Sequence, residues 1–335
     1  MQLVAHITTI AIMPELTEKY NPPKTTKDEQ TFNVLGKVVA SHLDRNPFLK
    51  VAEYDSGQSL HQLDTIFLEA TPMDINATLE LAEKFYPGFY ETMVEPFLDR
   101  PELSREYVEK ILQGKNIGLF TSHESLLDVV LTSLAFNIAT SKQESVEFAD
   151  LIRETELVVS RTILGLDVTN GDITVPAAEM VRCLGNLHFA FPDSNRIRKT
   201  DIDSKVISSN NLRMTRKLIE RLRRAKSGGL TAIALPGTSD HPLFDLNGNL
   251  SQVVIQTVKE PTKKLAHKFD YALPVAVVMS GDKQCCIPGE ITELPNIRDD
   301  NYDEFYVHEM MSRVAGTRQW ATGVNTCYKL FDSRD

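Results

Sequence analysis

No apolar run in this chain reaches the ~20 residues that a membrane-spanning helix needs, which excludes helical spans and predicts a soluble protein. Cysteine is scarce: Cys183, Cys285, Cys286 and Cys327 are the four in 335 residues, and no two form a metal-type or disulfide-type spacing. That excludes a disulfide scaffold or a cysteine-built zinc site and predicts reduced thiols in a cytosol-like compartment. Positive charge is in deficit, with 36 Lys and Arg against 46 Asp and Glu and a net charge of -10. A chain so acidic is not a general nucleic-acid binder, although a local basic patch is still allowed. No Gly-x-Ser-x-Gly sequence occurs, which argues against the commonest α/β hydrolase with a Ser-His-Asp triad. Glu15, Glu18, Asp28 and Glu29 give the first residues the wrong charge for a signal or organellar transit peptide.

What is present is ordinary globular material. Hydrophobic residues make up 42% and charged residues 24%, enough to bury a sizeable core. The length fits about two domains. Residues 1–100 read mostly as helix. Phe32, Leu35, Val38, Val39 and Leu43 recur at helical spacing, as do Leu60, Leu63, Ile66 and Phe67 on a shorter segment. Asp74 has the character of an N-cap for a helix carrying Leu79, Leu81, Ala82 and Phe85, and a further helix runs through Tyr90, Met93 and Phe97 to a stop before Pro101. His6, His42 and His61 stand alone on helix-like segments and read as packing or solvent residues. The expectation is a helical bundle domain over 1–100.

From Glu102 onward the pattern changes. A helix through Tyr107, Val108, Ile111 and Leu112 ends at Gly114, and strands then alternate with helices. Strands are predicted over 117–120, 157–163, 187–191, 230–235 and 272–279, with helices near 126–139, 175–184, 205–226, 251–269 and 303–315. This alternation predicts an α/β domain over 101–335 built on a largely parallel sheet flanked by helices. Ligands of such sheets bind beyond the carboxyl ends of the strands. Three polar segments follow predicted strand ends: the one with His123, Pro192 to Lys199, and Pro236 to Pro242.

The first of these carries the chemistry. His123 and Asp128 are spaced His-x-x-x-x-Asp, about 140° apart on an ideal helix, so they cannot meet if both are helical. They can meet if His123 lies in the turn before a helix and Asp128 in its first turn. Ser125-Leu-Leu-Asp128 has the form that opens helices, and so does Thr121-Ser-His-Glu124, so two starts are open. A carboxylate beside a histidine fixes its tautomer and makes it a general base. The plainer reading is a helix cap and a surface loop histidine. Further on, residues 211–226 hold seven Lys and Arg against one acid, Glu220. Such a run is either a solvated face or a dock for a polyanionic partner or an anionic membrane.

Three blocks in order resemble the His-x4-Asp glycerolipid acyltransferase superfamily, and within it the soluble plastid-type glycerol-3-phosphate 1-acyltransferases. They are Thr121-Ser-His-Glu-Ser-Leu-Leu-Asp128 with the run from Glu109 ahead of it, Asn211-Leu-Arg-Met-Thr-Arg-Lys-Leu ahead of Ser227-Gly-Gly-Leu, and Pro236-Gly-Thr-Ser-Asp-His-Pro242. The likeness spans roughly 90–289. It implies a helical N-terminal domain and a larger α/β domain, and a fatty acyl transfer from an acyl thioester to the sn-1 hydroxyl of glycerol 3-phosphate. It implies His123 as base, Asp128 as its orienting partner, and substrate contacts from Arg198, Lys199, Thr238, Ser239 and His241. The donor is acyl carrier protein or acyl-coenzyme A as co-substrate, with no cofactor and no metal. The implied setting is the cytoplasm or plastid stroma; the basic run 211–226 and the lack of a spanning segment add the expectation of transient contact with an anionic membrane. The family binds the acceptor phosphate with a Lys-His pair and an Arg-Asp-Arg-Pro run. Here these positions hold Arg198-Lys199 and Ser239-Asp240-His241-Pro242, so both arginines of the second cluster are replaced. A hydroxyl and an imidazole do not substitute for two guanidinium forks. An acyltransferase acting on another acceptor, such as a lysophospholipid, and an inactive lipid- or carrier-binding relative are the alternatives.

Overall fold

The computed structural model describes residues 49–50, 65–122, 128–161, 163, 167–170, 173–176, 178, 181–190, 204–224, 228–234, 241–244, 250–255, 265, 268–280, 283–294 and 302–328. Every one of them belongs to a compact unit, Phe48–Asp335. The predicted helices around Phe32 to Leu43 and the residues Leu60 and Leu63 lie outside the described residues.

The central strands are short and apolar on both faces, which is what a sheet covered by helices on both sides demands. In β3 (Ile117–Thr121) and β8 (Leu230–Ile233) every residue is buried. With β4 (Thr155–Ser160), β7 (Asn186–Ala190) and β11 (Tyr271–Ser280) they form a parallel block in the order β11-β3-β8-β4-β7. Antiparallel strands close its ends: β2 (Phe67–Leu68) on β7, and β12 (Lys283–Pro288) and β13 (Thr292–Glu293) on β11. The chain is therefore an α/β protein with a mixed, mostly parallel sheet flanked by helices, as its alternating pattern predicted. Two three-stranded sheets accompany it: β1 (Leu49–Lys50) with β5 (Asp167–Asn170) and β6 (Ile173–Pro176), and β9 (His241–Phe244) with β10 (Leu250–Ile255) and β14 (Asn325–Tyr328).

Successive strand side chains face opposite sides, and the core divides accordingly. Ile117 and Leu119 of β3 join one cluster, and Phe120 joins the other. The first cluster is covered by α5 (Asp128–Glu144), which is buried on all sides from Asp128 to Thr140. It is enclosed because α2 (Tyr90–Val94, wound as a wide π-turn), α3 (Glu95–Leu98) and α4 (Pro101–Leu112) form a further layer over it. Phe136 of α5 stacks between Phe97 and Tyr107, with ring centroids 5.2 and 5.0 Å away. The helices before residue 100 thus share one core with the sheet. The second cluster is covered by α7 (Ser204–Arg224) and α8 (Tyr302–Thr322). Phe148–Arg153 forms α6, leading into β4.

Local signals account for several ends. Asp74 accepts from Asn76 N and Ala77 N at 2.8 and 3.3 Å and opens α1 (Ile75–Phe85). Gly114, with φ 75°, stops α4. Gly228 has no room for a side chain: a Cβ there would lie 1.7 Å from the Lys115 carbonyl oxygen. The glycines that carry part of the resemblance are therefore needed for packing at the amino edge of the sheet.

Three expectations fail. Phe67 is in strand β2, where the Ile66 carbonyl accepts from Phe189 N at 3.1 Å, and not in a helix. Residues 250–255 form β10, not the start of a helix, because Val253, Val254 and Ile255 are β-branched, the two valines pair with both β9 and β14, and Ile255 pairs with β14. Ile173–Pro176 is a strand where a helix from 175 was expected. A short apolar run fits both periods, and strand pairing decides: with distant β7 for Phe67, with β9 and β14 for β10, and with the adjacent β5 in a hairpin for Ile173–Pro176.

Candidate functional site

Because β3, β8, β4 and β7 run parallel, the segments after them leave from one edge of the sheet. β3 and β8 are neighbours in register, with Phe120 beside Ile233. The His123 segment and the Pro236 segment therefore start from adjacent strand ends. The Pro192 segment starts from β7, separated from β8 by β4 alone. Of the predicted site residues, His123, Arg198, Lys199, Thr238 and Ser239 lie outside the described residues. His241 opens β9, its backbone paired with Val254 of β10.

Asp128 lies in the first turn of α5 as that helix is described, and it has no exposed surface. A carboxyl group there gains from the partial positive charge of the helix start. Its surroundings include β12. Burial pushes the Cys286 thiol well above its ordinary range, and the charges of Cys285 and Asp128 add to this.

The residue before His123 is built into the sheet. β3 ends at Thr121 while β11 runs on, which exposes the Val277 peptide on the side where β3 no longer reaches. Ser122 fills that place. Its Oγ accepts from Val277 N at 2.9 Å and donates to the Val277 carbonyl at 3.0 Å, while its own N–H bonds Val275 O at 3.3 Å. Arg318 of α8, itself buried, donates from Nη1 to the same Val277 carbonyl at 3.2 Å. The start of the His123 segment is thus fixed by a double hydrogen bond and shares an acceptor with a buried guanidinium. Neither Ser122 nor Arg318 stood out in the sequence. The sole signal for Arg318 is a cation on the apolar side of α8, three and four residues after Ala315 and Val314.

A second buried polar cluster lies nearer the amino edge. Glu156, the second residue of β4, contacts His188 Nε2 at 2.5 Å, Arg221 Nε at 2.7 Å and Asn186 Nδ2 at 3.3 Å. Phe67 packs tilted on the His188 ring at 5.0 Å, and Lys217 and Arg221 lie over the Phe67 ring at 5.1 and 4.8 Å. Burial holds the His188 imidazole below its usual pKa, helped by Arg221 and Lys217 and opposed by Glu156. This cluster ties α7 to β4, β7 and β2. It also divides the basic run of α7: Arg221 points to Glu156, while Arg216 and Arg223 are exposed. Among the described residues no group of three or more His, Cys, Asp or Glu could hold a metal ion.

Compared with known proteins, the chain matches no family model, and no curated protein matches it.

Proposed function

We propose that this protein transfers a fatty acyl group from an acyl thioester to the sn-1 hydroxyl of glycerol 3-phosphate. The observation that carries the reading is Asp128: a wholly buried carboxyl group in the first turn of a helix that follows a central parallel strand, five residues after a histidine. The adjacency of β3 and β8 supports it, since the His-x4-Asp and Pro-Gly-Thr blocks then depart side by side. In the reaction His123 takes the proton of the acceptor hydroxyl, and Asp128 orients the imidazole and stabilises its charged form. The hydroxyl oxygen forms a bond to the thioester carbonyl carbon. The tetrahedral oxyanion collapses, the carbon–sulfur bond breaks, and the imidazolium returns its proton to the leaving thiolate. No enzyme nucleophile is needed because the thioester is already activated.

The test is release of free thiol from a long-chain acyl thioester that depends on glycerol 3-phosphate. His123→Ala should fold and lose about 10²–10⁴ in turnover, the usual worth of a positioned base. A folded His123→Ala variant with near-normal rate sinks the reading. Ser239 and His241, where arginines are expected, favour a second reading in which the acceptor is a lysophospholipid. Thiol release that requires a lysophospholipid and ignores glycerol 3-phosphate would establish it.

A further inference from the structure

The outer side of the helix layer formed by α7 and α8 has a composition that catalysis does not explain. Met214, Leu218 and Leu222 of α7 face the sheet, as do Met311, Val314 and Arg318 of α8. At 100° per residue, Lys205, Leu212, Arg216, Glu220 and Arg223 fall on the opposite side of α7, and all five are exposed, the cations outnumbering the one acid. They span about 27 Å of helix at 1.5 Å per residue. Leu212 and Val206 are each 42% exposed in the midst of these cations. Trp320 of α8 lies 200° round from the inward Arg318 and is 80% exposed. It is the only tryptophan in the chain. Both helices cover one face of the sheet through one shared core cluster, so these side chains project from the same side of the molecule.

We infer that this outer helix face docks on an anionic lipid surface. Arginine and lysine attract acidic headgroups while their aliphatic stems lie along the acyl boundary, and indole is the side chain that most favours that boundary. The chain carries a net charge of -10, so a local surplus of cations on one face also orients the molecule as it approaches. No helix among the described residues is long and apolar enough to cross a bilayer, so the contact lies on the surface. The inference concerns binding alone and stands or falls apart from the acyl-transfer reading.

Vesicles of equimolar phosphatidylglycerol and phosphatidylcholine provide the test, with Trp320 as the internal probe. The protein should float with these vesicles, and its tryptophan emission should shift to the blue. Pure phosphatidylcholine vesicles should do neither. Binding should weaken as salt shortens the Debye length from about 10 Å at 0.1 M to 3 Å at 1 M. The R216E/R223E double variant removes two attractions and adds two repulsions, and should bind at least about tenfold more weakly. Arg216→Gln alone serves if the double variant does not melt like the wild type. Absence of flotation overturns the inference. So does flotation without a blue shift, equal binding to neutral vesicles, or undiminished binding by a natively folded variant. An acidic protein that shifts the emission when vesicles do not would also overturn it, in favour of a protein partner.

Discussion

Exchanging one oxygen for nitrogen at Asp128 separates charge from shape. Asn fills the same volume in the first turn of α5, so the Asp128→Asn variant should keep its fold and lose the group that orients an imidazolium. Since His123 and Asp128 act as a unit, the double variant H123A/D128N should be about as slow as H123A alone. Additive losses in single-turnover rates would show that the two do not cooperate. Ser122 makes a different prediction. In Ser122→Ala the Val277 N–H loses its partner while the Val277 carbonyl keeps Arg318, so one buried donor is orphaned at a cost of about 1–3 kcal/mol. The variant should melt lower and also lose turnover, because the peptide leading into His123 is no longer held to β11. An unchanged melting temperature would mean that Ser122 is not a structural tie. Cys286, buried and with its thiol pKa raised, should resist alkylation in the native protein, while the half-buried Cys285 reacts first.

At the level of elements, α7 is held by the Glu156 cluster, and the cluster has a pH signature. His188 has a folded pKa below its unfolded value, about 6.5, because burial disfavours the imidazolium. Below that value the unfolded chain takes up the proton first, so stability is full above the unfolded pKa and falls as pH drops from it. Burial and the Glu156 charge raise the Glu154 carboxyl, which shifts stability the other way at lower pH, so the histidine limb should be read above the ordinary carboxylate range. Thermal melts should show that limb in the wild type, and a His188→Gln variant, which can still donate to Glu156, should flatten it. A slope that survives in the variant assigns the effect elsewhere. Glu156→Gln should cost more, about 3–5 kcal/mol, since Arg221 would lose its buried counter-charge. None of this cluster was legible in the sequence. Glu156 lies 32 positions from His188 and 65 from Arg221, and each reads locally as a lone polar residue in an apolar run or one cation in a basic one. Ser122 and Val277 are likewise 155 positions apart. The central strands were legible because double burial makes them continuous apolar runs, and Asp128 was legible because helix-opening signals are local. The edge strand β2 and β10, the middle strand of its small sheet, were not, since only their partners distinguish them from helix.

For the whole molecule, the proposed chemistry and the proposed docking face meet at product release. The product carries a long acyl chain, and moving it from the protein into water is opposed by roughly 0.8 kcal/mol per methylene. Between an octanoyl and a palmitoyl chain the difference is about 6 kcal/mol, enough to make release into water the slow step for the longer chain. A molecule lying on a bilayer through α7 and Trp320 can pass the chain into lipid without crossing water. Anionic vesicles should therefore raise the steady-state rate with a palmitoyl thioester and leave its single-turnover rate unchanged, because chemistry precedes release. They should leave the octanoyl rate unchanged in both regimes. Neutral vesicles absorb free product but do not engage the cationic face, so their stimulation should be smaller, and R216E/R223E should reduce the anionic effect to that level. Equal stimulation of octanoyl and palmitoyl transfer, or an equal rise in single-turnover rate, would place the lipid effect on chemistry or substrate delivery and disconnect the docking face from release.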